Sequence, residues 1–278
     1  MTKIRLYQNK TNPLVLPIIL ADRLGYFDRY QTVVDLELAE SFQFHSNKSF
    51  VDNEVDGVMG DLTFFFDYLK QGKEAVVTST LTRTIQLIGY PEALKKRGLR
   101  VGAARKGLFP FFMDYDLKEM LEDPEIVWID NTYERINALE NKEIDALVAI
   151  EPFITQIRKL LPTAVFWDSA ASDKTMVMWC FDKAFYQKNP LLVKNFHLAL
   201  EAAAADFNQL SPDEKIGQCL EVADYSQEAA EEMVHFMFEP QKNYSVRDFE
   251  LLANWLAEDG QLAESLKGQD YIAQIYTE

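Results

Sequence analysis

Two cysteines and three histidines in 278 residues leave little for metal or thiol chemistry. Cys180 and Cys219 fall in different predicted elements, with no Cys-x-x-Cys or Cys/His cluster around them, which argues against a structural zinc site. They are expected to be two free, buried thiols rather than a disulfide. His45, His197 and His235 lack metal-ligand spacing, and the last two fall in predicted C-terminal helices, where a structural role is expected. No cofactor is expected. No apolar run is long enough to span a membrane, so no membrane insertion is expected. Basic residues are scarce: 28 Lys and Arg stand against 44 Asp and Glu, a net charge of −16. A chain this acidic lacks the basic face that nucleic acid requires, so nucleic-acid partners are set aside. Met1-Thr2-Lys3-Ile4 opens directly into a strand-like run, without the pattern of a secretory leader. Two locations are compatible with this: extracytoplasmic if a leader has been removed, cytoplasmic if Met1 is the native start.

What is present is a large apolar fraction, 48%, enough for one or two real cores. One pattern occurs twice. Phe50–Phe66 reads FVDNEVDGVMGDLTFFF, and Ile136–Ile154 reads INALENKEIDALVAIEPFI. Each copy has an amphipathic lead-in, an acidic turn (Asn53-Glu54-Val55-Asp56; Lys142-Glu143-Ile144-Asp145) and a short apolar strand. A carboxylate ends that strand, Asp61 in one copy and Glu151 in the other, and a helix start comes next. A helix, a tight turn and a buried strand make half of a βαβ unit. Two copies some ninety residues apart predict two similar α/β lobes. Open sheets of this kind bind ligands beyond the carboxyl ends of their strands. A cleft between the lobes is therefore the expected site.

Taken in order, periodicity predicts strands at Lys3–Tyr7, Val33–Ala39, Ala75–Thr80, Thr82–Gly89, Leu99–Ala104, Glu125–Ile129, Ala164–Trp167 and Thr175–Phe181. Helices are expected at Pro13–Leu24, at Leu62–Lys70 and from Pro110 to about Leu121. From Asp182 the chain reads helical almost throughout: Pro190–Leu210, Pro212–Ala223, Ser226–Phe238 and Val246–Glu258.

Each candidate site residue has a plain structural reading beside the functional one. Asp61 can cap the helix after it, or face a ligand as a carboxylate. Glu151 precedes Pro152 and is biased to extended backbone; it can bond a neighbouring loop or face the pocket. Gln8, Asn9 and Asn12 form a polar loop after the first strand, either solvated or offering amides to a ligand. Thr80, with Thr82 and Thr84, fits simple strand preference or one hydroxyl turned to the cleft. Asn131 is a turn residue or a contact. Phe42, Phe109 and Trp179, with Phe44 and Phe64, are core residues or faces for a flat ligand. The two carboxylates lack an accompanying nucleophile or metal cluster, so acid/base catalysis is a weak reading.

PLVLPIILADRLGYF, NEVDGVMG, LRVGAARKG, NKEIDALVAIEP and FDKAFYQKNPLLVKNF come one after another in an order that resembles the bacterial nitrate/sulfonate/taurine substrate-binding proteins and the thiamine-pyrimidine-precursor binders and synthases. The resemblance covers most of the chain. It implies an α/β, type II periplasmic-binding-protein fold: two α/β lobes joined by two crossing strands, with a helical C-terminal region. The crossings are expected near Thr80–Ile88 and Met176–Phe181. Lobe 1 would comprise 1–82 plus 182–278, and lobe 2 would be 83–181. The implied function is that of the solute-binding protein of an ABC-type importer. Its partners would be a small organic ligand, with a thiamine-pyrimidine precursor or similar nitrogen heterocycle favoured, and the ABC permease subunits. An enzyme is the less favoured reading. The synthase branch carries a Lys and a His after the first acidic-turn strand and a cysteine cluster before the return crossing. Here those places hold Gly60-Asp61-Leu62-Thr63-Phe64 and Ser172–Val177. The alternative is a leaderless cytoplasmic enzyme, pyrimidine-synthase-like or a small-carboxylate lyase, or a ligand sensor on the same fold. In the anion-binding branch a small Ser/Gly-rich loop presents backbone N–H groups. Here the loop is Ala104–Pro110: Pro110 removes a donor, Arg105 and Lys106 add charge, and Gly107 is a candidate ligand contact. Anion binding through Arg105 stays open.

Overall fold

The computed structural model describes every residue except Met1, Thr11, 40–45, Pro152, Thr277 and Glu278. Phe42, with Phe44 and His45, lies outside the described residues. Ten strands occur among them: β1 (Ile4–Asn9), β2 (Val34–Ala39), β3 (Gly57–Asp61), β4 (Ala75–Thr80), β5 (Gln86–Gly89), β6 (Arg100–Ala103), β7 (Glu125–Trp128), β8 (Ala146–Ala149), β9 (Ala164–Asp168) and β10 (Val177–Asp182). The α-helices of eight or more residues among the described residues are α1 (Leu16–Arg23), α2 (Leu62–Lys70), α3 (Thr132–Glu140), α4 (Phe153–Leu160), α5 (Pro190–Gln209) and α6 (Val246–Glu258).

The chain divides into two compact units. Unit 1 comprises Met1–Thr82, Val177–Glu250 and Ser265–Glu278, and unit 2 comprises Arg83–Met176 and Leu251–Glu264. In unit 1, β1 and β2 pair in parallel, from Ile4 with Val34 to Asn9 with Ala39. A second sheet has the order β3-β10-β4, with β10 antiparallel to both neighbours. The core here is aromatic. Trp179 and Phe181 of β10 both meet the Phe196 ring of α5 edge-on, at centroid distances of 5.3 and 5.7 Å. Phe65 and Phe66 of α2 pack on Phe249 of α6. Buried rings of this size each contribute roughly 2–3 kcal/mol of apolar burial.

A buried polar chain ties α5 to β4 and to the segment before α6. His197 Nδ1 lies 2.8 Å from Gln241 Oε1, and its Nε2 lies 2.9 Å from Thr78 Oγ1. Gln241 Oε1 is an acceptor, so the ring carries its proton on Nδ1 and accepts from the threonine hydroxyl at Nε2. Burial lowers the imidazole pKa to about 4, consistent with a neutral ring.

Unit 2 is one five-stranded sheet in the order β7-β6-β8-β5-β9. Strand β6 runs parallel to β7 and β8, and β5 antiparallel to β8 and β9. Ile136 and Leu139 of α3 and Ile154 and Ile157 of α4 pack on Ile88, Ile144 and Leu147. Gly89 and Gly102 flank the start of β8. A Cβ on Gly89 would lie 2.6 Å from the Asp145 carbonyl oxygen, and one on Gly102 2.5 Å from Ile144 Cδ1. At Gly89 the neighbouring backbone leaves no room for a side chain, whereas at Gly102 only the end of a side chain stands in the way.

Several expectations need correction. The first strand runs to Asn9, so Gln8 and Asn9 belong to β1 rather than to a loop, and both are buried. The strand expected over Thr82–Gly89 shrinks to β5, because Thr82 and Ile85 bond outside a ladder: Thr82 Oγ1 accepts from the Glu239 N–H, and the Ile85 N–H donates to Ser169 Oγ. The helix expected to reach Leu121 is a single turn, Phe109–Phe112, continued by a wider turn at Met113–Leu117. Within that turn Asp114 accepts from the Trp255 indole and Asp116 from the Lys174 ammonium, which places tertiary partners where a regular helix would continue. The helix expected over Ser226–Phe238 ends at Met233.

Candidate functional site

The repeated pattern folds the same way in both units. In unit 1 the Arg5 backbone N–H donates to Asp56 Oδ2 at 2.8 Å, and its guanidinium reaches Asp56 Oδ1 at 2.6 Å. In unit 2 the Arg100 backbone N–H donates to Asp145 Oδ2 at 3.0 Å, and its guanidinium reaches Asp145 Oδ1 at 2.9 Å. The same guanidinium nitrogens also donate to the carbonyls of Asn53 and Lys142. Those two residues occupy the left-handed region, with φ of 62° and 59°. Thus the acidic turn pins β3 to β1 and β8 to β6, and fixes where each apolar strand begins.

At the end of β3 stands Asp61. Its backbone is extended, as an N-cap requires, yet its side chain makes no capping bond to α2. That corrects the capping expectation. The carboxylate has no hydrogen bond or ion pair among the described residues. Part of the residue remains accessible, and burial of the carboxyl group pushes its pKa up to about 7. Its charge in turn raises the pKa of Tyr68 and of buried Tyr244, in both cases after the larger effect of burial. Gln8, near the end of β1, is fully buried, and neither its amide nitrogen nor its amide oxygen has a hydrogen-bond partner among the described residues. Buried amides are nearly always paired, so an unpaired one points to a missing partner. Asp61 and Gln8 thus both keep unspent hydrogen-bonding capacity at carboxyl ends of strands in unit 1.

The other expected residues are engaged. Asn9 is buried with a partner of its own. Asn12 caps the turn Pro13–Val15, accepting from the Leu14 N–H at 3.0 Å. Thr80 ties β4 to Lys242, its N–H donating to the lysine carbonyl and its Oγ1 accepting from the lysine N–H. Trp179 is core, 1% exposed, although it also lines a cavity in unit 1. In unit 2, Asn131 caps α3 through the N–H groups of Tyr133 and Glu134. Glu151 accepts from the Thr155 N–H and hydroxyl, which turns it back onto α4. Arg105 pairs with exposed Asp130 and lies over the Trp128 ring. Gly107 makes a turn at φ 89°, and Phe109 is buried against Trp128.

Among the described residues no group of three or more His, Cys, Asp or Glu could hold a metal ion. No described helix is long and apolar enough to cross a membrane.

No protein-family model matches the sequence, and no curated protein matches it. Solved structures do. The periplasmic aliphatic sulphonate binding protein SsuA of Escherichia coli aligns with a TM-score of 0.76 over 98% of this chain and 97% of its own, at 11% identity. The periplasmic nitrate-binding protein NrtA of Synechocystis PCC 6803 aligns at 0.66 over 94% and 82%, at 13% identity. The Candida albicans CA3427 gene product, described as having the generic periplasmic binding protein fold, aligns at 0.62 over 96% and 92%, at 16% identity. This is the type II periplasmic-binding-protein fold. At such identities the likeness carries the fold and no ligand.

Proposed function

We propose that this chain is the solute-binding protein of an ABC-type importer, with a small organic molecule and permease subunits as its partners. That role places it outside the cytoplasmic membrane. The observation that carries the reading is Asp61: a carboxyl group at the end of β3, desolvated and without a partner among the described residues. Such a group is costly unless a ligand completes it.

The chemistry of Asp61 favours an amino-substituted nitrogen heterocycle, of which a thiamine-pyrimidine precursor is one example. With a pKa of about 7, the carboxyl group is present both protonated and ionised near neutrality. The protonated form donates to a ring nitrogen and accepts from an exocyclic amino group. The ionised form pairs with the protonated ring. Gln8, near the end of β1, offers a donor and an acceptor on a side chain that is otherwise unpaired. A sulfonate or nitrate would bring negative charge to a desolvated carboxyl group, which the same physics disfavours.

Native mass spectrometry of the purified protein, then thermal shift against thiamine-pathway pyrimidines, sulfonates, nitrate and aromatic carboxylates, tests this. The expected result is a stabilising shift with the aminopyrimidines alone. A shift with sulfonates or nitrate alone would overturn the ligand class. An unchanged mass with no shift across the panel would overturn the binding reading.

A further inference from the structure

Unit 1 holds a cavity of about 90 Å³ against one face of α5. Leu200, Glu201, Ala204 and Asn208 share that face, four residues or fewer apart, and Ala204 leaves the space that a larger side chain would fill. Trp179 and Phe238 also line it, as apolar wall.

The polar groups of the wall are almost all spent. Asn208 donates to the Phe238 carbonyl at 2.8 Å and accepts from its N–H at 3.0 Å. Thr82 Oγ1 accepts from the Glu239 N–H at 3.1 Å, and Glu239 has a further partner. Gln241 Oε1 accepts from Tyr276 and from the His197 ring. Glu201 remains. Its carboxylate has no hydrogen bond or ion pair among the described residues, and it is half-buried, which raises its pKa. No lysine or arginine lines the cavity. A partly desolvated carboxylate beside an apolar hollow lacks a cation and an aliphatic body to go with it.

We propose that this cavity is a second ligand site, separate from Asp61, taking a small primary amine as its ammonium ion, with Glu201 as counter-ion and the Trp179 and Phe238 faces around the stem. The size sets the class. A cavity of about 90 Å³ is smaller than the ~150 Å³ that admits benzene and well above the ~10–15 Å³ that one water needs. It takes a stem of about three carbons. Ammonium N–H groups not bonded to Glu201 would reach water at the mouth.

The test is calorimetric and NMR titration of the full chain with n-propylammonium chloride, with propionate and n-propanol as controls. Saturable binding of one ammonium per chain is expected, with contacts between the propyl protons and the Trp179 indole, and none for propionate. Glu201→Gln should weaken it about tenfold or more, as loss of a charge-assisted bond does. Ala204→Leu fills the cavity and should abolish it, while Asp61→Asn should leave it unchanged. No saturable binding to the wild type, equal binding by Glu201→Gln, or binding that survives Ala204→Leu would overturn the proposal. Loss of amine binding in Asp61→Asn would also overturn it, by showing a single site.

Discussion

The Arg100 guanidinium closes on Asp145 at 2.9 Å while the arginine's own backbone N–H donates to the same carboxylate, and Arg5 and Asp56 do the same in the other unit. Ninety residues apart in sequence, the two acidic turns are one device used twice. Burial alone would raise the pKa of Asp145. The hydrogen bonds from Arg100 and Lys96 outweigh that and hold the carboxyl well below the usual range.

Because the folded pKa of Asp145 is depressed, its contribution to stability is present above the unfolded carboxyl value, about 4, and is lost as pH falls through the folded value. Asp145→Asn is expected to cost about 1–2 kcal/mol near neutrality, a figure kept low by the solvent-facing side of the pair. Urea unfolding at a series of pH values should show the gap between wild type and variant narrowing below about pH 4. A gap that stays constant down to about pH 2 would contradict the assignment.

Asp61 has the opposite sign. Its folded pKa, about 7, lies above the unfolded value, so its contribution is full below about pH 4 and is lost as pH rises through 7. Asp61→Asn should therefore be more stable than wild type near pH 8, by roughly 1–3 kcal/mol, and equal to it near pH 4. Thermal melts at the two pH values check this. A variant less stable at both would mean that the carboxylate has a structural partner.

Gly89 and Gly102 differ in what a methyl group would meet. At Gly89 it meets the Asp145 backbone oxygen, which cannot yield; at Gly102 it meets the end of the Ile144 side chain, which can. Gly89→Ala should cost about 2–3 kcal/mol or more, and Gly102→Ala about 1 kcal/mol. Chemical denaturation of the two variants separates them, and equal costs would contradict the packing described.

Both thiols are free and buried, and burial raises their pKa values, that of Cys219 to about 11. The thiolate is the reactive form. Neither cysteine should react with a disulfide reagent in the native protein at mildly alkaline pH, and both should react once urea is added. One fast thiol in the folded state would refute this.

Much of the fold was legible because its signals are local. The repeated Asp56 and Asp145 turns, the apolar strands behind them and the helical run after Asp182 all reveal themselves within short windows. The arginines that complete those turns were not, since Arg5 and Arg100 lie 51 and 45 residues from their partners. The site was less readable. Gln8 looked like a solvated loop residue because glutamine is usually exposed, but it lies within β1, paired with β2, and is fully buried. Asn12, Asn131 and Glu151 have the residue types of both caps and contacts, and composition does not separate the two. Asp61 matched the capping pattern but lacks the bond. The cavity beside Glu201 arises where α5 meets the segment around Phe238, far along the chain, and no sequence window contains it.

The most direct test of the central claim is calorimetric titration of the wild type and Asp61→Asn with 4-amino-2-methylpyrimidine, at pH values on either side of 7. The expected outcome is one site per chain in the wild type, weakened about tenfold or more in the variant, with an affinity that changes with pH through the Asp61 titration. Equal affinity in the two proteins, or no binding by either, would contradict the claim that the end of β3 receives the ligand.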